Sequence, residues 1–175
     1  SALGGFKYFQ ITKSDKVIVN DLLSKNESLS QFFKNAFLVN TGTTRSASSE
    51  LRKTIDEKKN SKDLINNLLS SKEIGKKSFE LLKSNEIKTY YEAVDAQWNV
   101  KFRRSPSNFH KQIDDVITEM KNNGCITGKL IGAGGGGYML IFVNNKRKII
   151  NYLKKVKLDF IDIDIDHQGL VHFEL

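Results

Sequence analysis

The chain has 175 residues, 39% of them hydrophobic, with eleven Phe, one Pro and a formal net charge of +8. This apolar share suits a globular domain and excludes a disordered chain, and no apolar run reaches the roughly 18 residues that would cross a bilayer. A single Cys125 excludes an internal disulfide and predicts a reducing, cytoplasmic setting.

The chain opens Ser-Ala-Leu-Gly-Gly-Phe without Met and runs straight into strand-like residues, as expected of a segment cut from a longer protein. Phe6 to Ile11 and Val17 to Val19, separated by a polar turn at Ser14 and Asp15, predict a β-hairpin. A short helical segment near Leu29 to Lys34 precedes a strand at Ala36 to Asn40, which stops at Thr41-Gly42-Thr43-Thr44. Arg45-Ser46-Ala47-Ser48-Ser49-Glu50 then opens a helix with Ala47, Leu51 and Ile55 on one face. Hydroxyls, a guanidinium and unpaired N–H groups at a helix N-terminus suit an anion, and they equally suit ordinary Ser/Thr capping.

Residues 61 to 124 read as helical throughout. Leu64, Ile65, Leu68 and Leu69 form one apolar stripe, continued by Ile74, Phe79 and Leu82. Ile87, Tyr90, Tyr91, Val94, Trp98 and Phe102 form another, with Trp98 one turn before Lys101 and able to face a cleft. Ser105 as N-cap with Pro106 at N1 predicts a third helix that turns Phe109, Ile113, Val116, Ile117 and Met120 inward and ends at Gly124. These stripes are core. The basic clusters Lys101 to Arg104 and Lys146 to Lys148 lack an interleaved aromatic platform, so they read as solvated surface rather than a nucleic-acid footprint. Neither a nucleic-acid nor a membrane partner is expected.

In KLIGAGGGGYMLIFV, Lys129 to Val143, five glycines, at 132, 134, 135, 136 and 137, fall within six positions. The spacing satisfies GxGxxG, but the dinucleotide fingerprint needs a helix directly after the glycines, and Tyr138 to Val143 is a buried strand. A Walker-type loop fails as well, because no Lys-Ser or Lys-Thr follows. A strand, glycine loop, strand unit remains, able either to cradle phosphate through backbone N–H groups or to pack against a neighbouring loop.

Beyond it, Ile149, Ile150, Leu153 and Val156 mark a helix from Lys146 to Lys157. Asp159 to Asp166 alternates with period two, placing Ile161, Ile163 and Ile165 toward a core and the aspartates outward, with lysines expected nearby. A calcium loop begun at Asp162 puts His167 where Gly is needed and Phe173 where Glu is needed, so no metal site is expected. Gln168-Gly169 turns into a last strand, Leu170 to Leu175. His110, His167, His172 and Cys125 lack ligand or nucleophile spacing and count as structural. The order predicts an α+β fold, with helices packed on one face of a largely antiparallel sheet.

KLIGAGGGGYMLIF resembles the third conserved motif of the GHMP kinases, the superfamily of galactokinase, homoserine, mevalonate and phosphomevalonate kinases. SALGGF, Ser1 to Phe6, is similar to the AAFGGF that follows the catalytic aspartate in the sugar-kinase branch, and LVNTGTTRSASS, Leu38 to Ser49, to that branch's TGxTRSAS segment. Trp98 with Lys101, Ser105 nearby and the helix leading to Gly124 also fit, and the pattern comes nearest to the D-glycero-D-manno-heptose 7-phosphate kinases.

The resemblance implies a ferredoxin-like C-terminal domain over residues 26–175, and in residues 1–25 a remnant of the N-terminal domain. It implies ATP and Mg²⁺, a sugar-phosphate substrate and a partner in the chain's own N-terminal domain. The GLGSSS-type triphosphate loop, the base aspartate and the Mg²⁺ ligands would lie in that missing half, leaving no catalytic residue here. By the same resemblance Thr41, Gly42, Thr43, Arg45 and Ser46 face the sugar substrate, with Arg45, Thr41 and Thr43 on its phosphate or hydroxyls. Gly132, Ala133, Gly134, Gly135, Gly136 and Gly137 brace the triphosphate loop. A non-catalytic stand-alone binding module with the same fold is the alternative.

Overall fold

The computed structural model describes residues 3–22, 32–43, 62–104, 107–132 and 135–170. Strands β1 (Lys7–Ile11) and β2 (Val17–Asp21) pair antiparallel as the expected hairpin, with Asp15 at φ 57° in its turn. Strand β3 (Ala36–Asn40) follows, then three helices: α1 (Lys62–Lys83), α2 (Ile87–Arg104) and α3 (Asn108–Asn122). Strands β4 (Cys125–Leu130) and β5 (Tyr138–Val143) flank the glycine loop, and helix α4 (Lys146–Lys155) leads to the short β6 (Phe160–Asp162).

The larger sheet has the order β4-β5-β3-β6, and every pairing is antiparallel. With α1 to α3 as the first crossover and α4 as the second, this is the ferredoxin-like arrangement. Its register follows from burial: Phe37 and Val39 stand opposite Ile141 and Met139, so these four apolar side chains share one face. They pack with Val143 on Trp98 of α2, on Phe109, Ile113, Ile117 and Met120 of α3, and on Ile149 and Leu153 of α4. The opposite face is not bare. Ala36 and Phe142 meet Phe32, Phe33, Leu81, Leu82, Tyr90 and Val94 there, and Phe142 stacks on Phe32 with ring centroids 4.8 Å apart.

Several local expectations need correction. Ser107, not Ser105, caps α3: its backbone is extended and its side chain accepts the His110 N–H at 3.2 Å. Residues 105–106 themselves lie outside the described residues, as do the helix expected from Arg45 to Ile55 and most of the segment near Leu29, of which Phe32 and Phe33 are helical. The first apolar stripe of α1 is not core, since Ile65, Leu68 and Leu69 are about half exposed and α1 buries Leu81 and Leu82 instead.

The Asp159 to Asp166 strand is regular only over Phe160–Asp162. Pairing with β3 runs from Phe160 opposite Val39 to Asp162 opposite Phe37 and stops there. Ile161 is exposed, while Ile163 and Ile165 pack on the second core as expected. A lysine does lie near these aspartates, with Lys146 Nζ 3.3 Å from Asp162. The last strand expected at Leu170 to Leu175 lies outside the described residues except for Leu170, which is not in a strand; Gly169 forms an antiparallel bridge with Leu3. No described helix is long and apolar enough to cross a membrane.

Candidate functional site

The sheet brings the end of β3 beside the start of β5, because Asn40 pairs with Tyr138. The two segments singled out in the sequence therefore meet one residue further on. The Thr41 N–H donates to the Gly137 carbonyl at 2.8 Å, and the Gly137 N–H donates to the Thr43 carbonyl at 2.7 Å. The Thr41 hydroxyl lies 3.0 Å from the Gly137 carbonyl and 3.1 Å from that of Thr43, so its one proton is committed within this clasp. Gly42 turns the chain at φ 69°, and its N–H donates to Asn40 Oδ1 at 2.9 Å. Asn40 thus ends the strand and shapes the turn, an Asx-type contact that the sequence pattern left unnoticed.

Gly137 sits at φ 85° and Gly132 at φ 69°, with open space where a Cβ would stand. Their requirement for glycine is thus conformational rather than steric. Gly136 lies at φ 131° as well, so three residues of the loop hold a positive φ. The N–H of Gly137 is spent on Thr43, so any phosphate cradle is made by other amides of the loop. Ala133, Gly134, Arg45 and Ser46 lie outside the described residues.

On the other side of the loop stands α2. Lys101 Nζ donates to the Leu130 carbonyl at 3.1 Å and to the Gly132 carbonyl at 2.7 Å. One turn earlier on the same face, Gln97 Oε1 accepts from Lys129 of β4. Further back, Asp95 accepts from the buried Thr127 hydroxyl at 2.5 Å and from Lys121 of α3 at 2.9 and 3.0 Å. Asp95, Gln97 and Lys101 therefore tie α2 along β4, one of the two edge strands of the sheet. Sequence reasoning placed Lys101 in a solvated basic cluster and beside Trp98 in the family resemblance, and gave neither Lys101 nor Lys129 a partner. The polar i,i+4 pair Gln97 and Lys101 beside an apolar stripe was the available signal.

Trp98 is buried yet lines a cleft of about 320 Å³ together with Ser71, Gln97, Lys101, Lys129 and Gly132. Its indole N–H donates to Asp114 Oδ1 at 2.9 Å, which fixes α2 against α3. Burial pulls the Lys129 ammonium below the usual lysine range, since its contact is a neutral amide. Burial likewise pushes the Cys125 thiol up to about 12, with Asp95 adding to that effect and Lys121 opposing it. Such a thiol is no nucleophile at neutral pH. His110 is buried among the rings of Trp98, Phe102 and Phe109, in the structural role expected of it. Among the described residues no three His, Cys, Asp or Glu side chains are grouped to hold a metal ion.

Residues 78–160 match the family model for the GHMP kinases C terminal. The D-glycero-alpha-D-manno-heptose 7-phosphate kinase of Campylobacter jejuni is 27% identical over 176 residues, which cover 97% of this chain and 50% of that protein. The crystal structure of L. major mevalonate kinase with R-mevalonate aligns with a TM-score of 0.68 at 15% identity, covering 87% of this chain and 45% of that one. The Lactococcus lactis galactokinase complexed with galactose aligns at 0.54 with 13% identity, covering 93% and 51%. This chain spans about half the length of each of these relatives. The matched span runs from the end of α1 through the glycine loop to β6, and over it this chain is similar to the C-terminal part of the GHMP kinases.

Proposed function

We propose that this chain is the C-terminal half of an ATP-dependent GHMP-type sugar kinase. Its substrate is a sugar phosphate, D-glycero-D-manno-heptose 7-phosphate, converted to the 1,7-bisphosphate for surface polysaccharide precursors in the cytoplasm. The clasp between Thr41, Thr43 and Gly137 carries this reading, since it presents the segment that resembles a sugar-recognition motif side by side with the glycine loop. A relative of that activity, similar over nearly the whole chain, supports the substrate. Residues 26–175 form the C-terminal domain, and residues 1–25 continue a preceding N-terminal domain. In support of that division, β1 and β2 form a sheet of their own rather than joining the larger one.

Phosphoryl transfer asks a protein for positioning and charge stabilisation more than for covalent chemistry. In this reading Arg45, with Thr43 and Ser46, holds the sugar phosphate, because a guanidinium forks onto phosphate oxygens. Thr41 acts through the clasp, and the loop from Gly132 to Gly137 forms one wall of the triphosphate site. ATP is the phosphoryl donor, and the groups that would bind Mg²⁺ belong to the other half.

The test is ³¹P NMR of the full-length protein with ATP and heptose 7-phosphate, with galactose and fucose phosphates as competitors. Formation of a 1,7-bisphosphate is expected, and its absence refutes the substrate. In the same protein Arg45→Ala is expected to raise KM for the sugar phosphate, and an unchanged KM removes Arg45 from the site. Residues 1–175 alone are expected to show no turnover.

A further inference from the structure

We infer that Lys101 is a positioning residue of the nucleotide site: from α2, it sets the shape of the glycine loop by holding the carbonyls of Leu130 and Gly132. This rests on the kinase reading above. The contact is specific in three ways. First, one ammonium takes two carbonyls, at 3.1 and 2.7 Å, at the point where β4 gives way to the loop.

Second, Lys101 comes from an element about thirty residues away, so the loop cannot change shape without also moving relative to α2. Third, α2 is itself held. Gln97 engages Lys129, Asp95 engages Thr127 and Lys121, and Trp98 engages Asp114.

The peptide linking Leu130 to Ile131 shows the effect on the backbone. Its carbonyl accepts from Lys101, while its N–H points the other way and donates to the Tyr138 carbonyl at 3.0 Å. In a trans peptide the two groups oppose one another, so an ammonium on one side fixes which side offers donors. The same ammonium on Gly132 extends that control into the first glycine, which has no side chain to help hold its φ of 69°. The second side of the loop is held by the Thr41 and Thr43 clasp at Gly137. Lys101 and the clasp thus anchor the two ends of one loop.

Two measurements test this. In the 175-residue chain, Lys101→Met is expected to speed amide hydrogen exchange at Gly132 to Tyr138 by about 10- to 100-fold, the range for losing a bond from a charged donor. The β1–β2 hairpin serves as the internal control and stays within about twofold, since local opening leaves other units intact. In the full-length kinase, Lys101→Met is expected to raise KM for ATP about tenfold while KM for the sugar phosphate stays within about twofold, with Lys101→Arg restoring most of the difference.

A merely structural lysine would lower the amount of active enzyme and leave both KM values alone. Unchanged exchange at the loop overturns the anchor. Faster exchange with an unchanged KM for ATP overturns the link to the nucleotide while leaving the kinase reading intact. A wild-type protein without phosphotransfer defeats the kinase reading and this assignment with it, while the exchange result still reports whether Lys101 holds the loop.

Discussion

Substituting alanine for glycine has opposite consequences at two positions of this chain, and the pair tests the loop geometry directly. At Gly137, a Cβ meets nothing within 4 Å, so crowding contributes no cost. The φ of 85° is the problem, because an L side chain there presses on the backbone at a cost of about 1–2 kcal/mol. The loop could escape only by breaking the bonds from Thr41 and to Thr43, at about 0.5–1.5 kcal/mol each, so it keeps the strained backbone. Gly75 lies within α1, also with nothing near its Cβ position, and there alanine gains about 0.8–1.0 kcal/mol of helix propensity. For a chain of this size 1 kcal/mol moves Tm by about 2–4 °C. Gly137→Ala is thus expected to lower Tm by roughly 2–8 °C and Gly75→Ala to raise it by roughly 2–4 °C, as followed by circular dichroism. Equal signs, or a neutral Gly137→Ala, would refute the left-handed assignment and the clasp built on it.

Phe142 is fully buried on the second face of the sheet among Phe32, Phe33, Tyr90 and Tyr91. Phe142→Ala should therefore cost about 3–5 kcal/mol in urea denaturation, and a loss under about 1 kcal/mol would mean that face is not a core. Thr127→Val keeps the shape of its site but removes the 2.5 Å bond to Asp95, which retains Lys121 and is partly solvated. The expected loss is about 1 kcal/mol, and no loss would show the bond to be energetically idle. The buried Cys125 keeps its proton up to about 12, whereas the unfolded thiol loses it near 9.0. That contribution to stability is complete below pH 9.0 and declines as pH rises toward 12, with Tyr90, also raised to about 12, adding its own decline above 10.0. Denaturation at pH 8 and pH 10 should show a smaller alkaline loss for Cys125→Ala than for the parent, and equal losses would contradict the burial argument.

The strands were legible because their patterns are short and unambiguous. Ala36 to Asn40 and Tyr138 to Val143 are apolar runs bounded by Thr-Gly and by glycines, and both appear over those residues. The error at Ile65, Leu68 and Leu69 has the opposite cause: periodicity shows that a helix has an apolar face but not what lies against it. At Asp159 to Asp166 alternation overstated the strand, which pairs with β3 over only three residues, because alternation shows a two-faced segment but not how far a neighbour pairs with it. The glycine loop was found from the clustering of its glycines alone, whereas its clasp to Thr41 was not foreseen, because nothing in the sequence shows that the ends of β3 and β5 lie side by side. Lys101 was named beside Trp98, but its contact to the loop was missed, because a lysine in a basic cluster looks solvated until the carbonyls it faces are located.

The clasp joins Thr41 to Gly137 across 96 residues, and β3 has both its sheet partners later in the chain. During synthesis at about 5–20 residues per second, the Ala-Phe-Leu-Val segment of β3 therefore waits roughly 5–20 s for its first neighbour. An unpaired apolar strand exposed that long is a candidate for holdase binding on the ribosome and for aggregation when expression is fast. Slowing translation between α1 and α3 should change nothing in the final structure and should worsen the soluble yield, whereas slower overall initiation, which keeps nascent chains apart, should improve it.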